Sequence, residues 1–103
     1  MIYHILFEAA PTPDHEEFDE IGGAFINCWI KAADESEASS IAIKRLNVDS
    51  WKVIRLEECH AVTKEWYQNN PSALARFKEA AEEGASYIYH EWPNELQEGD
   101  GEH

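Results

Sequence analysis

Positive charge is scarce in this sequence. The 103 residues include 8 Lys and Arg against 21 Asp and Glu, which gives a formal net charge of −13 at pH 7. A chain this acidic is repelled by the phosphates of nucleic acids and by anionic membrane surfaces. We therefore expect no nucleic-acid partner and no membrane association.

Long apolar runs and a cysteine framework are also missing. No stretch reaches the roughly 18 consecutive apolar residues that a membrane-spanning helix requires. The chain begins with a strand-like pattern, without the basic and apolar regions of a signal peptide. Its two cysteines, Cys28 and Cys59, are too few for a disulfide framework. Together these absences predict a cytoplasmic protein whose thiols are reduced and buried.

Recognisable catalytic motifs are lacking as well. The sequence contains no Gly-x-Ser-x-Gly elbow, no phosphate-binding glycine loop and no His-Glu-x-x-His helix. Cys28 lies in the middle of an apolar run, where a thiol is inert rather than activated. No set of residues favours an enzyme, so we expect a non-enzymatic protein with no catalytic residue.

The spacing of histidines and cysteines argues against a metal site. Cys59 and His60 are adjacent, so on an extended strand their side chains point to opposite faces. His4, His90 and Glu91 would meet only if the first and last strands were neighbours. No second Cys-His pair stands at zinc-finger spacing. We therefore expect neither a metal ion nor another cofactor.

The most informative stretch that is present runs over residues 22–32, GGAFINCWIKA. Side chains on a strand alternate between two faces, so this stretch divides into two sets. One set is apolar throughout and suits a buried face: Ala24, Ile26, Cys28, Ile30 and Ala32. The other mixes two aromatic rings with an amide, which is unusual for a face left to water: Phe25, Asn27, Trp29 and Lys31. We interpret the stretch as the central strand.

Three further strands are predicted around it: residues 1–8, 51–63 and 85–92. The segment 51–63 contains no turn residue, so we interpret it as one long strand bent by a bulge. The acidic segment 9–23 is predicted to be a mobile loop. The polar, acidic end of the chain, 94–103, is predicted to be disordered.

Two helix starts are marked by capping residues. Asp34 precedes Glu37 at the capping-box spacing, and Asn70 precedes Pro71, a pair typical of a first helical turn. The predicted order is therefore β-β-α-β-α-β in a single domain over residues 1–93. Each helix has one apolar stripe. We expect an α+β two-layer sandwich of ferredoxin-like type, with a mixed four-stranded sheet and both helices on one face.

A group of aromatic and polar side chains is predicted on the helix-free face of this sheet. The candidate binding residues are His4, Phe25, Asn27, Trp29, His90 and Trp92. Such a surface could form a two-fold dimer contact, be covered by the long loop, or bind a small molecule by stacking.

We favour a non-enzymatic binding or interaction module that uses this face or a sheet edge, as a homodimer or with a protein partner. One alternative is a small-molecule-binding or enzymatic protein that uses the region of His4, Asn27, Trp29, His90 and Trp92. Another is an immunity or inhibitor protein for a basic partner, which the acidic charge suggests.

The central strand 22–32 and the closing residues 89–93, YHEWP, resemble a set of small bacterial α+β proteins of unknown function. The likeness covers residues 22–93, about two-thirds of the chain. It implies a small bacterial α+β protein. It transfers no catalytic residue and no ligand.

Overall fold

The computed structural model describes residues 1–94. Over this range the chain forms four strands, two α-helices and one short 3₁₀ helix. In chain order they are β1 (Ile2–Pro11), β2 (Ile21–Lys31), α1 (Glu35–Val48), β3 (Trp51–Val62), the 3₁₀ helix (Lys64–Tyr67), α2 (Pro71–Glu83) and β4 (Ala85–Pro93). The predicted order of strands and α-helices is confirmed, and a 3₁₀ helix that was not predicted lies between β3 and α2. The predicted disordered end lies outside the described residues, except for Asn94. Neither α-helix in the described range has the length and hydropathy to cross a bilayer.

The four strands form one antiparallel sheet in the order β3-β1-β2-β4. The α+β class, the four strands and the two helices are as predicted, but the sheet is not mixed and its order differs from the ferredoxin-like topology. The reason is that β1 and β2 follow each other without a helix and pair directly. The crossover through α1 then passes over β1, so that no two parallel strands become neighbours.

The two helices lie on opposite faces of the sheet, which corrects the prediction that they share one. α1 contributes Ala38, Ala42 and Leu46 to a core that contains Phe7, Ile26 and Cys28. α2 and the 3₁₀ helix pack on a second core, formed by Ile2, Trp29, Val62, Tyr67 and Ala80. Adjacent residues of β2 thus belong to different cores. An apolar stripe on a helix shows that this side of the helix packs on the sheet. It does not show which face of the sheet the helix covers.

Both helices begin at the predicted caps. The Asp34 carboxylate accepts a hydrogen bond from the backbone N–H of Glu37 at 2.8 Å. The Asn70 side chain accepts one from the backbone N–H of Ala73 at 3.1 Å. These bonds satisfy N–H groups that have no partner inside the helix. α2 ends at Gly84, whose φ of 97° is the left-handed conformation that favours glycine.

Gly22 and Gly23 make room for Trp92. A Cβ atom at Gly23 would lie 2.4 Å from a ring carbon of Trp92, so only glycine allows this close approach. Both glycines belong to strand β2 rather than to a loop. The connection between β1 and β2 is therefore 12–20, shorter than the predicted loop of 9–23.

β3 is one long strand, as its sequence predicts, but it contains two bulges rather than the single predicted one. Its register against β1 shifts between Leu6 and Phe7 and again between Glu8 and Ala9. Each shift leaves one extra residue on β3. The bulges increase the local twist of this edge strand, which discourages pairing with another chain along its full length.

The face of β2 that was predicted to be apolar is part of the core. Ile26, Cys28 and Ile30 are fully buried. Burial raises the pKa of the Cys28 thiol from its ordinary 9.0 to about 12. This thiol therefore stays protonated at neutral pH and is not an activated nucleophile.

Alkaline pH is expected to destabilise the protein through Cys28. Above its ordinary pKa of 9.0, the thiol loses its proton in the unfolded chain but keeps it in the folded one. The unfolded chain then binds fewer protons, so the free energy of unfolding falls as pH rises, by up to about 1.4 kcal/mol per pH unit. Burial also raises the pKa of Tyr87 and Tyr89 to about 12, and these partly buried phenols add a smaller effect.

The measurement is urea unfolding at several pH values between about pH 8 and about pH 10.5. Cys28→Ala is expected to flatten the fall in stability with pH. Cys59→Ala is the matched control, because Cys59 is less buried and contributes less. A Cys28→Ala variant with the same slope as the wild-type chain would contradict the prediction.

Candidate functional site

The six candidate residues lie on one face of the sheet, the face that α2 partly covers. Cross-strand partners share a face. In the pair of β1 and β2, His4 lies opposite Trp29, and Leu6 lies opposite Asn27. In the pair of β2 and β4, Phe25 lies opposite His90. Trp92 lies opposite Gly23 and follows the same alternation. The face is not helix-free as predicted, because α2 packs on one end of it and leaves the other end open.

The first group of candidates is centred on His4. Its Nε2 atom forms a 2.8 Å hydrogen bond with Oδ1 of Asn27, and its ring lies 5.0 Å from that of Trp29. An oxygen acceptor requires the proton on Nε2, so Nδ1 carries a free electron pair. Burial lowers the pKa of His4, and the bond to Asn27 opposes this only in part. The imidazole is therefore neutral at pH 7.

Trp29 is part of the core rather than of an open surface. It is 5% exposed, beneath α2 and the 3₁₀ helix. Its indole N–H donates a hydrogen bond to the hydroxyl of Tyr67 at 2.9 Å. The prediction that Trp29 lies on a helix-free face is wrong, because the connection from β3 to β4 crosses this face of the sheet. Alternation alone does not show that crossing.

β3 brings two side chains to His4 that were not predicted as its neighbours. His60 lies directly opposite His4, and Glu58 lies opposite Leu6 on the same face. The ligand atoms of His4, Glu58 and His60 all lie within 4.8 Å of one another. The His60 ring also contacts that of Trp66, at 5.5 Å. Two imidazoles and a carboxylate are side chains that bind divalent transition metals.

The sequence contained only part of the signal for this cluster. Glu58 and His60 are two residues apart on a strand, so alternation places them on one face. Their position beside His4 depends on the pairing of β1 with β3, which is a long-range feature. The set of His4, His90 and Glu91 is not brought together, because β2 lies between β1 and β4.

The second group of candidates lies at the open end of the face. The rings of Phe25 and Trp92 are 5.2 Å apart, and Phe25 is 41% exposed. His90 is exposed opposite Phe25. On the other side of Phe25, Glu8 forms a 3.2 Å ion pair with Arg55. We call these five residues, Phe25, Trp92, His90, Glu8 and Arg55, the open patch.

Two clefts in the described part of the chain are lined by residues other than the candidates. One, of about 220 Å³, is lined by residues that include Ala10, Phe18 and Gly22. The other, of about 280 Å³, is beside the 3₁₀ helix and is lined by residues that include Lys64 and Leu74. None of the six candidate residues lines either cleft.

Comparison with known proteins finds no family model that matches this chain. The curated proteins and the solved structures likewise give no significant match. The observed class is an α+β protein whose antiparallel sheet carries one helix on each face. The features that bear on its function are the open patch and the cluster of His4, Glu58 and His60, which we call the His4 cluster.

Proposed function

We propose that this protein is a non-enzymatic interaction module that forms a homodimer through the open patch. The observation that supports the proposal is the exposure of Phe25, which is 41% exposed on an interior strand of the sheet. Large aromatic side chains at such positions are ordinarily covered. A partner surface that covers Phe25 and Trp92 would remove their apolar area from water, and this burial would stabilise the complex.

The charges of the open patch favour a second copy of this chain as the partner. Although the chain has a net charge of −13, the open patch contains one acidic and one basic side chain, Glu8 and Arg55, which form an ion pair at 3.2 Å. A surface that carries both positive and negative charges can be complementary to a second copy of itself across a two-fold axis. A basic partner would instead require a surface with an excess of acids. The open patch therefore fits a homodimer better than it fits an inhibitor of a basic protein.

A small-molecule site has less support from the geometry. That alternative needs one site lined by both groups of candidates. Trp29 is covered by α2, while His90 and Trp92 lie at the other end of the face. Small-molecule sites are usually concave, whereas these residues line neither of the two clefts.

The substitution Phe25→Ser tests the homodimer. We expect the wild-type chain to sediment as a dimer at micromolar concentration and Phe25→Ser to raise the dimer dissociation constant by at least about 30-fold. The reason is that a central aromatic side chain contributes a large share of an interface energy. Sedimentation equilibrium over a range of concentrations gives both constants.

Ile41→Ser is the matched control for this experiment. Ile41 is 40% exposed on α1, which covers the opposite face of the sheet. This variant is expected to remain a dimer, and circular dichroism checks that both variants stay folded. A monomeric wild-type chain, or an equal effect of the two substitutions, would contradict the proposal.

A further inference from the structure

We propose that His4, Glu58 and His60 form a binding site for one divalent transition-metal ion, with Zn²⁺ as the ion of choice. Two imidazoles and one carboxylate, with water at the remaining position, form a common donor set of open zinc sites. The three ligand atoms lie within 4.8 Å of one another. Two donors at about 2.1 Å from one ion are no more than about 4.2 Å apart. Small side-chain rotations therefore close the site.

The sheet positions these three ligands. His4 and His60 are direct partners on the paired strands β1 and β3. Opposite residues of antiparallel strands have Cβ atoms only about 5 Å apart. Glu58 is two residues from His60 and projects from the same face, where its exposed carboxylate is free to turn toward an ion. Paired strands hold such a constellation more rigidly than loops do.

The groups around the two histidines are those that support metal ligands. Oδ1 of Asn27 accepts a hydrogen bond from Nε2 of His4 at 2.8 Å, so in the proposed site Nδ1 is the nitrogen that binds the ion. Ligating histidines commonly donate their second N–H to an oxygen in this way. The rings of Trp29 and Trp66 lie 5.0 Å and 5.5 Å from those of His4 and His60, respectively. These contacts limit the rotation of both imidazoles.

The donor set also selects among metal ions. Imidazole nitrogens suit Zn²⁺, Cu²⁺ and Ni²⁺, whereas Mg²⁺ and Ca²⁺ prefer oxygen ligands. We therefore expect Zn²⁺ to bind and Mg²⁺ not to compete with it. This site differs from the sets considered from sequence, because it depends on the contact between β1 and β3. It is also independent of the proposed homodimer, since none of its ligands belongs to the open patch.

The test is calorimetric titration of the EDTA-treated full chain with zinc chloride and, separately, with magnesium chloride. We expect one strong Zn²⁺ site per chain and no comparable binding of Mg²⁺. Glu58→Gln and His60→Ala should each weaken Zn²⁺ binding by more than about 10-fold. Glu58 is exposed, so its replacement by the equally large glutamine leaves the fold intact.

Two matched controls separate this site from general attraction of cations to an acidic chain. Glu57→Gln removes the neighbouring carboxylate on β3, and His90→Ala removes an exposed imidazole on the same face of the sheet. Both should retain wild-type Zn²⁺ affinity, as should Phe25→Ser if it is monomeric. The proposal is overturned if the wild-type chain binds no Zn²⁺, if Mg²⁺ binds as tightly, or if Glu58→Gln and His60→Ala bind Zn²⁺ as the wild-type chain does.

Discussion

Ile26→Ala is expected to lower the free energy of unfolding by roughly 2–5 kcal/mol. Ile26 is fully buried in the core beneath α1. Truncation loses the transfer free energy of the removed carbons and leaves a cavity. β2 is paired with β1 on one side and with β4 on the other, so its backbone cannot move far to fill that space. Urea unfolding of the variant and of the wild-type chain measures the difference.

Ile54→Ala is the matched control, because it removes the same atoms from an exposed position. Ile54 is 53% exposed on the edge strand β3. Its truncation is expected to cost no more than about 0.5 kcal/mol, as is usual for surface substitutions. Equal losses for the two variants would show that the face of β2 beneath α1 is not the main core.

Trp29→Ala is expected to cost roughly 3–5 kcal/mol of unfolding free energy. The side chain is 5% exposed and donates a hydrogen bond to the buried Tyr67. Its removal leaves a large cavity beneath α2 and the 3₁₀ helix. The alternation of β2 taken alone predicts a different result, a loss of self-association. Urea unfolding together with sedimentation distinguishes the two outcomes.

Two further variants test the hydrogen bond of Trp29 and compare Trp29 with an exposed tryptophan. Tyr67→Phe keeps the ring but removes the acceptor of the Trp29 indole, and is expected to cost about 1–3 kcal/mol. Trp66→Ala truncates a tryptophan that is 64% exposed, and should have a much smaller effect on stability than Trp29→Ala. A Trp29→Ala variant that is as stable as the wild-type chain but dissociates would contradict the assignment of Trp29 to the core.

The candidate site could be predicted only in part. Alternation correctly placed Phe25, Asn27 and Trp29 on one face of β2, because the period of two is a local property of an extended chain. It did not show that α2 covers Trp29 while Phe25 stays exposed. The same alternation places Glu58 and His60 on one face of β3, although neither was among the predicted site residues. Their meeting with His4 required the pairing of β1 with β3.

The sequence by itself determined the number and order of the α-helices and strands and the apolar face of the central strand. These features depend on interactions between residues close in the chain, such as the caps at Asp34 and Asn70. Only the tertiary structure decided the strand order, the faces that α1 and α2 cover, and the assembly of the His4 cluster. Those depend on which distant segments bury their apolar surfaces together. The apolar stripe of an amphipathic helix packs equally well on either face of a sheet, so the pattern of apolar residues does not show which face the helix covers.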